Sequence, residues 1–121
     1  MSNFTEKEVH EALKQIASLI SKSEKSQQKL THGTWQHKML ADNIRALRYA
    51  SSLLSGKTDN KKKFTRDDLL EALRSIASMM VKAEKYQEKF LPGTSQYTLQ
   101  RNRLNALHIA EKLIKKRIEQ A

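Results

Sequence analysis

A chain of 121 residues carrying 30% charged residues and a net charge of +10 suits one domain with a core of its own. The absence of cysteine excludes disulfides, thiolate metal sites and cysteine nucleophiles. No apolar run approaches the roughly 18 residues of a membrane helix, and no signal-peptide pattern opens the chain, so a cytoplasmic location without membrane association is expected.

The first helix announces itself at Thr5 and Glu8. Their spacing is that of a capping box, with Phe4 and Val9 placed as a hydrophobic staple. Val9, Leu13, Ile16 and Ile20 then recur at helical spacing, widened by Ala12 and Ala17, and the stripe weakens towards Gln27 and Leu30. This predicts a helix over 6–30. Gly33 is suited to the left-handed conformation that ends a helix, and Thr34 to capping the next one. The second helix is expected over 35–55, with Leu40, Ile44, Leu47 and Leu54 as its stripe. Residues 56–63 are polar and basic and read as a linker. Gly56, Lys57 and Thr58 imitate the tail of a phosphate-binding loop. Ser51 stands where that motif needs its first glycine and no strand precedes it, so a P-loop is excluded.

From Phe64 the pattern starts again. Phe64, Thr65, Asp68 and Leu69 repeat the first cap, a helix follows over 66–90, and Pro92, Gly93 and Thr94 make the turn into a helix over 95–119. Residues 4–55 align with 64–115 at an offset of 60 without a gap, and 20 of 52 positions are identical, too many for shared helical composition alone. The expected fold is all-α within a single domain, 1–121. Two antiparallel hairpins from an internal duplication pack as a pseudo-twofold four-helix bundle, because a single hairpin cannot bury both of its stripes. Exchange of hairpins between two chains is the alternative, so monomer and homodimer both fit.

Tests for chemistry come out negative. His10, His32, His37 and His108 have no histidine at the equivalent position of the other repeat, and no Glu has a histidine three residues on. His32 and His37 can approach each other across the first tip, but without a carboxylate at helical spacing. The acids near the tips read as salt-bridging: closing each hairpin around its glycine sets Glu24 opposite Lys38 and Asp42, and Glu84 opposite Arg101 and Asn102. Gln27 and Gln87 face inward and are expected to satisfy backbone groups of the adjacent turn. Neither enzymatic activity nor a cofactor or metal is expected.

The positive charge is uneven: residues 1–60 carry +3 and residues 61–121 carry +7. Polar identities gather near the tips, where Lys22, Glu24, Lys25, Gln27, Lys29, Gly33, Thr34 and Gln36 match Lys82, Glu84, Lys85, Gln87, Lys89, Gly93, Thr94 and Gln96. A helix start beside lysines attracts anions, and Trp35 or Tyr97 would add a stacking surface. The plainer reading is that the lysines form a solvated face and Trp35 covers the tip of the core. Lys115, Lys116 and Arg117 suit the end of a helix and need no ligand.

The stretch Pro92, Gly93, Thr94, Ser95, Gln96, followed by Asn102, Arg103, Leu104, Ala106 and Leu107, resembles a family of short bacterial helical-hairpin proteins without an assigned activity. The resemblance implies a helical hairpin, present here in tandem, and implies nothing about activity. The first repeat departs from it at Asp42 and Asn43.

The expected function is a non-enzymatic basic binding module for nucleic acid or another phosphate-bearing anion. Its candidate contacts are Lys82, Lys85, Lys89, Thr94, Gln96, Tyr97, Arg101 and Arg103, helped by Lys61, Lys62 and Lys63. The alternative is a protein-interaction or inhibitor module of phage or mobile-element type acting on a host protein.

Overall fold

The computed structural model describes residues 4–56 and 64–120. They form four helices: α1 (Glu6–Gln28), α2 (Trp35–Ser55), α3 (Arg66–Glu88) and α4 (Ser95–Gln120). No strand occurs among the described residues.

The caps act as their spacing predicts. Thr5 Oγ1 accepts the Glu8 N–H at 3.1 Å, and Glu8 Oε1 accepts the Thr5 N–H at 3.0 Å. Thr65 and Asp68 repeat this at 3.0 and 3.4 Å. Backbone and side-chain hydrogen bonds from Thr5 hold the Glu8 carboxyl below the usual carboxylate range. Thr34 and Thr94 cap α2 and α4 by accepting the N–H groups of His37 and Tyr97 at 3.3 and 3.2 Å.

The hairpin turns differ from expectation. α1 and α3 stop at 28 and 88, two residues before the predicted ends. Their last turns tighten to bonds three residues back, Leu30 N–H to Gln27 O at 3.0 Å and Phe90 N–H to Gln87 O at 3.1 Å. Thr34 N–H then bonds Thr31 O at 3.4 Å, and Thr94 N–H bonds Leu91 O at 3.2 Å. Gly33 (φ 88°) and Gly93 (φ 92°) are the third residues of these four-residue turns rather than helix ends. Gly56 (φ 69°) does end α2 in the left-handed conformation.

The helices run alternately up and down. α1 packs on α2 and α4, and α3 packs on α2 and α4. α2 and α4 also touch across one diagonal, whereas no Cα of α1 comes within 8 Å of one in α3. On the touching diagonal the small buried residues Ala46, Ala50, Ala106 and Ala110 let the α2 and α4 backbones draw together. Ile16, Leu47, Leu69, Ile76, Leu107 and Ile114 fill the core with essentially no exposure, each worth about 1.5–3 kcal/mol of burial. Ala17 and Ala77, expected to widen the stripes, are exposed; on α1 the buried line runs through Ala12, Gln15 and Ile16 instead. Gln15 donates to Glu11 at 3.1 Å. No described helix is long and apolar enough to cross a membrane.

Side-chain pairing around the first tip also departs from the simple register. Glu24 binds Arg48 at 2.8 Å, and Lys38 binds Asp42 within α2 at 3.5 Å. An Arg side chain reaches further along the neighbouring helix than a register drawn through Cα atoms allows. Glu84 has no ion-pair partner among the described residues. Gln27 does reach a backbone group, but within α2 rather than in the turn: its Nε2 donates to the His37 carbonyl at 3.2 Å.

Candidate functional site

The missing contact between α1 and α3 opens a cleft. Leu19, Lys22, Ser23 and Ser26 of α1 form one wall, and Met79, Lys82, Ala83 and Tyr86 of α3 form the other. Leu40 and Asn43 of α2 and Gln100, Arg103 and Leu107 of α4 make the floor. The cleft lies towards the hairpin tips and holds about 280 Å³.

Its electrostatics set it apart. Lys22, Lys82 and Arg103 line it, and no acid does. Three larger hollows on the bundle all mix charge: acids in them include Asp42, Asp68 and Glu71 between α2 and α3, Glu24 along α2, and Glu8 and Glu11 between α1 and α4. None of the three cleft cations joins an ion pair among the described residues. Lys82 Nζ rests 4.0 Å from Met39 Sδ, a weak acceptor. Arg103 Nε is buried and has no hydrogen-bond partner among the described residues. Burial lowers the Arg103 pKa, and burial followed by repulsion from Arg103 holds the Lys22 amine below the usual lysine range. Lys22 and Lys82 are themselves exposed on the walls, and only Arg103 is half-buried; a partly desolvated cation short of partners gains most from an arriving anion. Asn43, only 8% exposed, adds an amide to the floor.

Of the residues predicted from sequence, the cleft unites Lys82 and Arg103. Lys85 and Arg101 are exposed outside its lining. Lys89 caps α3, its Nζ 5.2 Å from the centre of the Tyr86 ring. The Thr94 hydroxyl is committed to structure: it donates to Leu91 O at 2.7 Å while accepting from Tyr97 N. Gln96 is exposed and accepts from Ser95 Oγ at 3.3 Å, and Tyr97 is half-buried at the start of α4. Lys61, Lys62 and Lys63 lie outside the described residues.

Lys22, Asn43, Tyr86 and Gln100 are among the lining residues that sequence reasoning missed. Lys22 had a signal, as the counterpart of Lys82 in the alignment at an offset of 60. Trp35 does not cover the core tip; it is 69% exposed, because it is the first residue of α2 and projects beyond the stripe. His32 and His37 do approach, with ring centres 4.4 Å apart. No group of three or more His, Asp or Glu able to hold a metal occurs among the described residues.

Compared with family models, characterised proteins and solved structures, the chain matches none.

Proposed function

We propose that the chain is a non-enzymatic binding module for nucleic acid or another phosphate-bearing anion, which it holds in the cleft between α1 and α3. The observation carrying this reading is the acid-free lining with Lys22, Lys82 and Arg103, none ion-paired among the described residues and Arg103 with its Nε buried and unpartnered there. The net charge of +10 would draw an anion towards it.

The same reading includes an origin for the cleft. All of its lining except Leu107 falls into pairs 60 residues apart: Leu19 with Met79, Lys22 with Lys82, Ser23 with Ala83, Ser26 with Tyr86, Leu40 with Gln100 and Asn43 with Arg103. These pairs support two duplicated hairpins related by an approximate twofold axis through the cleft. Divergence then made it functional on one side, where Arg103 and Tyr86 replace the smaller Asn43 and Ser26.

Fluorescence anisotropy with labelled oligonucleotides at two salt concentrations tests the reading. Binding should weaken as salt rises, and Lys22→Gln combined with Lys82→Gln should weaken it further. Binding that ignores salt, or survives the double substitution unchanged, defeats the proposal. A protein partner is the second reading, favoured by Trp35 and Leu91, which stand 69% and 76% exposed beside the hairpin turns. Its mark would be partner binding abolished by Trp35→Ser but untouched at Lys22 and Lys82.

A further inference from the structure

The geometry points to a narrower ligand than a nucleic-acid duplex: the cleft takes one terminal phosphate together with the unpaired base or similar flat group attached to it. This inference rests on the anion reading and adds the class of ligand.

Size comes first. About 280 Å³ falls just below the roughly 300–1,000 Å³ of ordinary small-molecule pockets. The space between the walls suits one small group, whereas a duplex would meet only the outer lysines. Charge comes second. Lys22, Lys82 and Arg103 together carry three positive charges with no lining acid. A phosphate monoester, with nearly two negative charges at neutral pH, balances them better than the single charge of an internal diester. Its oxygens also supply acceptors of the kind that buried Arg103 Nε lacks among the described residues.

The apolar lining decides what accompanies the phosphate. Leu19, Leu40, Met79 and Leu107 would gain nothing from a bare inorganic anion. Tyr86 lines the same cleft yet is 48% exposed. A half-exposed ring beside a cationic floor can stack a base whose phosphate reaches Arg103. The rival hollow between α2 and α3 is larger, at about 490 Å³, but there Asp42, Asp68 and Glu71 offset Lys38, Arg45 and Arg74, which leaves no surplus positive charge for an anion.

Calorimetry on the full chain separates the outcomes. The probes are adenosine 5′-monophosphate, adenosine, inorganic phosphate, a short deoxyadenosine single strand with and without a 5′-phosphate, and a blunt duplex lacking terminal phosphates. Adenosine monophosphate should bind at least about tenfold more tightly than either adenosine or phosphate, because charged hydrogen bonds and stacking each contribute on that scale. Arg103→Met should remove the advantage over adenosine. Tyr86→Ala should remove the advantage over phosphate while phosphate binding stays unchanged. A 5′-phosphorylated strand that binds as well as the free nucleotide would identify strand ends as the source; free nucleotide alone would identify a small metabolite; either supports the inference. Nucleotide binding no tighter than phosphate, or unaffected by both substitutions, overturns it. Duplex binding that weakens with salt and is lost on Lys22→Gln with Lys82→Gln, alongside no nucleotide binding, overturns the inference but leaves the anion reading standing. No binding of any probe overturns both.

Discussion

Arg103→Met should make the protein more stable and a worse binder of anions at once. Methionine keeps the unbranched stem that packs on the cleft floor and removes the guanidinium. The Nε lost is buried and without a partner among the described residues, and an unsatisfied buried donor costs about 1–3 kcal/mol. Arg103 is only half-buried, so the lower end applies, and a gain of about 1 kcal/mol is expected. For a chain of this length that is a rise of about 4 °C in Tm. Urea unfolding followed by far-ultraviolet circular dichroism reads the stability directly. Repeating it in phosphate, against chloride at matched ionic strength, reads binding as ligand-linked stabilisation. The original chain should gain stability in phosphate and the variant should gain much less. A variant that loses about 1 kcal/mol instead, or keeps its full response to phosphate, would mean that Arg103 is a satisfied structural residue.

Other parts of the account can be checked alongside. Thr65→Ala removes the cap hydroxyl that accepts from Asp68 N and should cost about 1 kcal/mol in urea unfolding. Leu107→Ala opens a cavity at a side chain 1% exposed and should cost about 2–5 kcal/mol in the same assay. Lys22 provides a pH signature. Its folded pKa lies below the usual 10.5, so within that interval the unfolded chain binds more protons than the folded one. Stability attributable to this group therefore rises with pH as it approaches 10.5. Comparing Lys22→Gln with the original chain across alkaline pH should show that component vanish.

Much of the fold was legible because local signals agreed with one another. Thr5 with Glu8, Thr65 with Asp68, and the threonines after Gly33 and Gly93 each bring a donor-satisfying side chain to a helix start. The ends of α1 and α3 were less legible, since tightening of the last turn to Leu30 and Phe90 leaves no mark on the apolar pattern. Ala17 misled for a related reason: an alanine beside a stripe suits either a crowded or a solvated position, and only the neighbouring helix decides.

The site was legible in its charge and not in its shape. Lys82 and Arg103 stood out as cations of the richer half of the chain. Lys22 and Asn43 belong with them only because α1 and α3 stand apart while α2 and α4 close on their alanines. That arrangement is a property of two diagonals, and no pattern within one helix carries it. The same limit hid the exposure of Trp35 and the reach of Arg48 to Glu24.

A proton–nitrogen correlation spectrum that includes arginine side chains, recorded during titration with adenosine 5′-monophosphate, addresses the central claim. The account predicts that the Arg103 Nε–H signal moves furthest, as that donor gains an acceptor, with the Asn43 side-chain amide and the backbone around Lys22 and Lys82 moving with it. Shifts confined to Lys115 and Arg117 at the end of α4, with the Arg103 signal unmoved, would contradict it.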